Sequence, residues 1–501
     1  MDCIDYRCLA TALAMVLALG CGSGTKPAAS KRPTTATSAP PPPPPPPAQG
    51  TSSPVAAPAT TAPGDIPAWA GQRRDEPFDV KAFLASRAAP SDNAAPHYER
   101  ALAPLSGDLG GQQGAAFEQQ IRSLADIEKL SSGSISVQQV DPVLAEAAEA
   151  IKQMDAAQVK PRCVFVTGLG VDALLPHVQA SRSLARLSVL QLFHARSTDD
   201  FTVGESAVRR CLRLSRDLRP RGHLICQMVS SANDGMLFTA IERLTLTDPK
   251  LTPEQCDRLL VLLEEHQKLG LDPYEEGLKM DYITVRCAID DLRTGRLTVG
   301  QISEMLGAGP LKVNERGLLP INHDAEAAAC NRLYALVLSN VKNSTPTTDE
   351  WQAFETEIAQ LKHAWETFLE KAKATPPAKR PAMASQMPAM LFSTWTAALP
   401  PGRNTMRRAA ANLAGIQMLV ALRRYELAHG KLPPTLDAAA AETALKTTPI
   451  DPYSGQPLRF ATVAGRPTVY SVGKDLKDDD GQTDWKFGQQ PGDYLFVLPP
   501  R

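Results

Sequence analysis

Eight consecutive prolines, Pro40 to Pro47, decide which parts of this chain can fold. Proline has no N–H and a fixed φ, so the run joins neither helix nor sheet and forms a polyproline II rod of ~25 Å. Its surroundings extend the effect. From Gly22 to Ile66 the chain is Ala, Pro, Ser and Thr with few charges, and no aromatic residue stands between Cys21 and Trp69. Such a composition buries too little apolar surface to offset the entropy of ordering. Residues 22–68 therefore read as a disordered stalk with a reach on the order of 150 Å at full extension. A proline run also suits SH3-type domains, but these are scarce outside the cell, and a spacer is the better reading. Folding is left to the residues from Trp69 onward.

Ahead of the stalk, Leu9 to Leu19 is almost wholly apolar and stops at Gly20-Cys21. A bilayer-spanning helix needs ~20 residues, so this shorter segment fits the apolar region of an export signal, residues 1–21. A cysteine directly after it resembles the lipobox of bacterial lipoproteins, which implies that Cys21 carries lipid. Gly22 and Ser23 follow, with no Asp beside the cysteine, and resemblance to lipoprotein sorting in enteric bacteria then implies the outer membrane. The competing reading is a plain secretory peptide cut near Ala18 or Gly20, which leaves Cys21 an ordinary thiol.

The remainder is long enough for about three domains. Hydrophobic content of 43% permits a real core, and a formal net charge of -1 argues against nucleic acid as a partner. Aromatic residues are only 5% while Ala and Leu abound, which favours packed helices. Beyond Cys21 stand Cys163, Cys211, Cys226, Cys256, Cys287 and Cys330. Export makes disulfides available to them, but most lie among apolar helical neighbours, and no metal knuckle or CxxC occurs. Buried free thiols are expected.

From about Asp79 to Ala398 apolar residues recur with helical period. Thr252-Pro253-Glu254-Gln255 is a complete helix start, with Leu259, Leu260, Leu262 and Leu263 on its buried side. Thr347 to Glu350 repeats the signal. Helices joined by short polar turns predict a mainly α chain: a helical-hairpin, solenoid-like body over 69–400, then a small α+β module over 401–501. In the module, Asn404 to His429 reads as a helix capped by Gly430. Strands are expected at Leu458 to Val463, Val469 to Val472 and Tyr494 to Val497, with Arg466-Pro467 separating the first two.

Leu175-Pro176-His177, Arg182 and Leu184-Ala185-Arg186-Leu187, with the helix from Val208 to Leu218, resemble a family of exported bacterial proteins. Its members share an LPH…LAR segment in a helical body and a small C-terminal module. That family has no assigned activity, so the resemblance implies architecture and no reaction. Arg424-Tyr425-Glu426-Leu427-Ala428-His429-Gly430, Asp451-Pro452 and Tyr470-Ser471-Val472-Gly473 resemble the globular part of the type II secretion major pseudopilin. Pseudopilins begin with the helix that builds their filament, whereas this module ends a different protein, so filament membership is not implied.

In pseudopilins an acidic loop binds calcium. The corresponding residues here are Asp475, Asp478, Asp480 and Asp484, with Gly481 permitting a tight turn; a solvated acidic turn is the competing reading. An EF-hand is excluded, because Leu476 and Phe487 would stand at its first and last ligand positions.

Several constellations imitate sites. Cys163 to Thr167 followed by Gly168, Gly170 and Ala173 imitates a strand entering a phosphate turn, but no acidic residue or second strand follows at the required spacing. Ser339-Asn-Val-Lys342 fits SxxK without its companion motifs. Asn322, His323, Asp324 and Glu326 read as a capping cluster, Glu264-Glu265-His266 as a solvated helix end, and His177 as a capping or packing residue. The expected function is a lipid-anchored envelope protein whose helical body binds or scaffolds an unnamed protein or envelope polymer. An envelope hydrolase acting on cell-wall or polysaccharide substrate, with acidic residues in a helical cleft, is the alternative, and enzyme is the minority reading.

Overall fold

The computed structural model describes residues 66–85, 92–268 apart from 166, 172 and 174, 273–298, 301, 322–341, 352–376, scattered positions from 379 to 389, 399–481 and 492–500. The export segment, Cys21, nearly all of the stalk, Thr347 to Glu350 and Asp484 lie outside the described residues. The described chain is mainly helical and ends in a small antiparallel sheet.

The helices run α1 (Val80–Ala85), α2 (Ala95–Leu102), α3 (Gly107–Leu124), α4 (Ile127–Ser131), α5 (Val137–Glu146), α6 (Ala148–Gln158), α7 (Pro176–Thr198), α8 (Phe201–Asp217), α9 (Leu224–Ala240) and α10 (Pro253–Lys268). They continue with α11 (Pro273–Thr294), α12 (His323–Val341), α13 (Gln352–Ala374), α14 (Leu399–His429) and α15 (Leu436–Ala441). The strands are β1 (Arg459–Val463), β2 (Arg466–Ser471) and β3 (Tyr494–Val497), in the order β1-β2-β3.

Local chemistry sets the helix ends. The Thr252 amide donates to Gln255 Oε1 at 3.0 Å and the Gln255 amide to Thr252 Oγ1 at 3.3 Å, the reciprocal capping that starts α10. Asp199 ends α7 in the left-handed region, and Asp200 accepts from the amides of Thr202 and Val203 to begin α8. Gly430 closes α14 at φ 66°, its amide donating to the Glu426 carbonyl at 2.8 Å. That helix starts earlier than Asn404, because Pro400 and Pro401 stand in its first turn, where no amide donor is missed.

Two helices organise the packing. Helix α7 is buried along most of its length and touches α2, α3, α5, α8 and α9. Helix α14 packs on α9, α10 and α11 on one side and on α15, β2 and β3 on the other. One apolar core therefore runs without interruption from Tyr98 and Ile121 through Leu190 and Leu260 to Leu419, Val469 and Leu498. A second gathers Trp69, Val80 and Phe83 around Tyr282, Leu333 and Tyr334 of α11 and α12.

In the sheet, Val463 pairs with Arg466 and Thr462 with Pro467, so Arg466 and Pro467 belong to β2 and do not separate the strands. The turn is the two residues Ala464 and Gly465, at φ 51° and 77°. Positive φ at both positions matches the twist of the flanking strands, and Gly465 adopts it without steric cost.

Candidate functional site

The C-terminal turn is built by acids of opposite character. Asp451 is buried and fully used: its Oδ1 accepts from the Ser471 hydroxyl at 2.7 Å and the Tyr453 amide at 2.9 Å, and its Oδ2 from the Ser454 hydroxyl and the Val472 amide. The Asp451-Pro452 turn and the Tyr470-Ser471-Val472-Gly473 segment thus meet, and the acid pins the end of β2.

Beyond it, Asp475 accepts from the Lys477 amide. Asp478 accepts from the Tyr470 hydroxyl at 3.2 Å and the Asp480 amide at 3.1 Å, and its other oxygen pairs with Arg459. Asp480 and Gly481 turn the chain at φ 56° and 75°. Beneath them lies Asp493, an acid that the sequence reading missed. Its Oδ2 accepts from the Gly481 amide at 2.9 Å and the Asp479 amide at 3.2 Å, while its buried Oδ1 has no hydrogen-bond partner among the described residues. Burial pushes the Asp493 carboxyl up to about 6, the Gly481 amide opposes this, and the charges of Asp479 and Asp478 add to it.

Asp475, Asp478 and Asp480 therefore share one turn with Asp493 below it. Among the described residues no three His, Cys, Asp or Glu side chains gather to hold a metal, and Arg459 already neutralises Asp478. The fourth expected ligand, Asp484, lies outside the described residues.

The helical body contains a different constellation. Asp234 on α9 is 4% exposed and accepts at Oδ2 from Arg219 at 2.5 Å and from His266 Nε2 at 3.1 Å. Arg219 Nε donates to the Ser230 hydroxyl, which donates to the Ser215 carbonyl. Burial alone would raise the Asp234 carboxyl; the charges of His266 and Arg219 overcome it and leave the group below its ordinary range. His266 is buried, which corrects its reading as part of a solvated helix end; Glu265 alone of that trio is exposed. The signal was present, because His266 follows Leu262 and Leu263 by four and three residues and so falls on the apolar side of α10. Chemically the pair is an oriented imidazole. Its Nδ1 is buried without a hydrogen-bond partner among the described residues, so no hydroxyl or thiol stands there for it to activate.

The imitations resolve simply. Cys163, Val164, Phe165 and Thr167 belong to no helix or strand. Asn322 Oδ1 accepts from the Ala325 amide at 3.2 Å and caps α12. The Ser339 hydroxyl donates to the Leu336 carbonyl, and Lys342 lies outside the described residues. His177 packs with its ring 4.2 Å from that of Phe165, nearly parallel. The thiols Cys163, Cys211, Cys226, Cys256, Cys287 and Cys330 are all buried, and no disulfide joins them. No described helix is long and apolar enough to cross a membrane.

Compared with known protein families, curated proteins and solved structures, the chain has no match.

Proposed function

We propose that this is an exported protein held at the periplasmic face of the outer membrane by lipid on Cys21, whose helical body serves as a binding or scaffold module for an envelope protein or polymer. The observation that carries the reading is how the chain leaves the stalk. Trp69, the first aromatic residue after Cys21, is 4% exposed, lies edge-on to Tyr282 and is covered by the Arg286 guanidinium at 4.6 Å. Phe78 and Phe83 follow it onto α11, with Lys279 and Arg221 over their rings. A cation over an aromatic face is worth ~0.5–2 kcal/mol, more where water is excluded. The tether thus ends in a firmly seated segment, which suits a body presented at a distance from the membrane.

Metabolic labelling with a radioactive fatty acid tests the anchor. Label on the wild type and none on Cys21→Ala, which moves to the soluble fraction, is the expected result; an unlabelled wild type indistinguishable from the variant sinks it. Calcium at Asp475, Asp478, Asp480 and Asp484 belongs to the same proposal and rests on their spacing. The full chain should melt higher in millimolar calcium than in chelator, and Asp480→Ala should erase the difference. Equal melting in both leaves a solvated acidic turn with Arg459 as its counter-ion.

A further inference from the structure

From Val178 to Phe193, helix α7 is buried at every position except Gln179, Arg182 and Arg186. Their spacing of three and four residues places them on one stripe, the line along which this stretch of helix meets solvent. Sheltered arginines elsewhere in the body have partners: Arg213 and Arg216 hold Asp217, Arg219 holds Asp234 and Arg221 holds Glu276, while Arg286, without an acid among the described residues, donates to Tyr282 and Asn331 and lies over the Trp69 ring. Among the described residues Arg182 and Arg186 have no ion pair, and the Arg182 Nε is shut off from solvent with no hydrogen-bond partner. Arg122, near the end of α3, which packs on α7, adds a third positive charge within electrostatic reach of both. Burial first, then this like charge, holds both guanidiniums below their ordinary value, and of nearby acids Glu118 opposes the shift at Arg186.

Long side chains often bury their stems and keep their heads in water. That accounts for the half-burial, but not for a sealed, unpartnered Nε or for three like charges within electrostatic reach of one another. We propose that Gln179, Arg182 and Arg186, with Arg122 at the rim, bind a phosphate monoester. Three guanidiniums against the one carboxylate of Glu118 leave two positive charges, which a phosphate dianion cancels and a carboxylate does not. The planar forks of Arg182 and Arg186 suit two phosphate oxygens each, and the Gln179 amide adds a neutral donor.

The test uses the full chain at fixed ionic strength, with glycerol 1-phosphate as probe and acetate as control, followed by calorimetric titration and thermal melting. Glycerol 1-phosphate should bind and raise the melting temperature, and acetate should do neither. Arg182→Gln and Arg186→Gln should each weaken binding on the order of tenfold or more. Relief of like-charge repulsion should leave the ligand-free variants melting no lower than wild type. Arg122→Gln, at the exposed rim, reads the same loss should either inner variant fail to fold. Arg209→Gln, an exposed arginine paired with Glu205, should bind as wild type does. Sedimentation with phosphatidic acid vesicles, lost in Arg182→Gln, assigns the phosphate to a lipid headgroup; binding of the soluble probe alone assigns it to a small molecule. No binding by the wild type, unchanged binding by the α7 variants, or an equal loss in Arg209→Gln overturns the proposal.

Discussion

Two buried carboxylates, Asp234 and Asp217, are shifted in opposite directions, and each shift has a measurable consequence. Asp234 stays charged because His266 and Arg219 both meet its Oδ2. Removing the acid leaves the part-buried Arg219 guanidinium and the buried His266 imidazole without their shared acceptor, so Asp234→Ala should lower unfolding free energy by about 3–5 kcal/mol in denaturant titrations. A loss under ~1 kcal/mol, the range of an exposed pair, would refute that account. Asp217 goes the other way. Burial pushes it up to about 6, although Arg213 and the Tyr98 hydroxyl pull back. A carboxyl raised on folding favours the protonated native state. Its contribution is fully present below the unfolded value near 3.8 and is lost as pH rises through about 6, roughly 3 kcal/mol across that window. Asp217→Asn, which keeps an acceptor for Tyr98, should flatten that slope; parallel stability profiles for variant and wild type between those two pH values would count against it.

Helix α14 shows at the element scale why propensity alone misleads. Gly415 lies in mid-helix, where alanine would ordinarily gain up to ~1 kcal/mol. Here a Cβ would stand 2.6 Å from Cδ2 of Phe496 on β3, so the glycine is the point at which sheet and helix touch. Gly415→Ala should force β3 away and destabilise the protein by about 1–3 kcal/mol. Gly235 in α9 supplies the control, since a Cβ there meets nothing within 4 Å. Gly235→Ala should raise the melting temperature while Gly415→Ala lowers it. The same direction for both would show that helix propensity, not the Phe496 contact, governs these sites.

At the scale of the whole molecule, the uninterrupted core through α7, α9, α10, α14 and the sheet predicts that body and C-terminal module unfold together. The thiols report on it. Burial pushes Cys256 and Cys287 up to about 12 and Cys211 and Cys330 higher still, so none is a ready nucleophile in the native state. A water-soluble thiol reagent, mapped by mass spectrometry along a denaturant series, should label Cys163, Cys211, Cys226, Cys256, Cys287 and Cys330 in one step coincident with loss of helix. Labelling of Cys287 and Cys330 well before Cys211 and Cys256 would mean that the two apolar cores open separately.

Much of the architecture follows from order along the chain. Helical period, the Thr252 cap, Gly430 and the strand at Tyr494 to Val497 are local signals, each satisfied by residues within a few positions, and one sequence suffices to state them. The burial of Cys211 and the capping role of Asn322 follow the same local logic. What only the tertiary structure decided depends on residues far apart in the chain. Asp493 lies beneath the acidic turn because β3 pairs with β2, and Arg459 reaches Asp478 because a two-residue turn, and not Arg466-Pro467, sets the register. His266 lies on the apolar side of α10, but its partner Asp234 is 32 residues away. The open stripe on α7 likewise exists because other helices cover the rest of that surface. Helical period shows which residues share a face; the contacts made by other elements decide which face remains accessible and which charges are left without a partner.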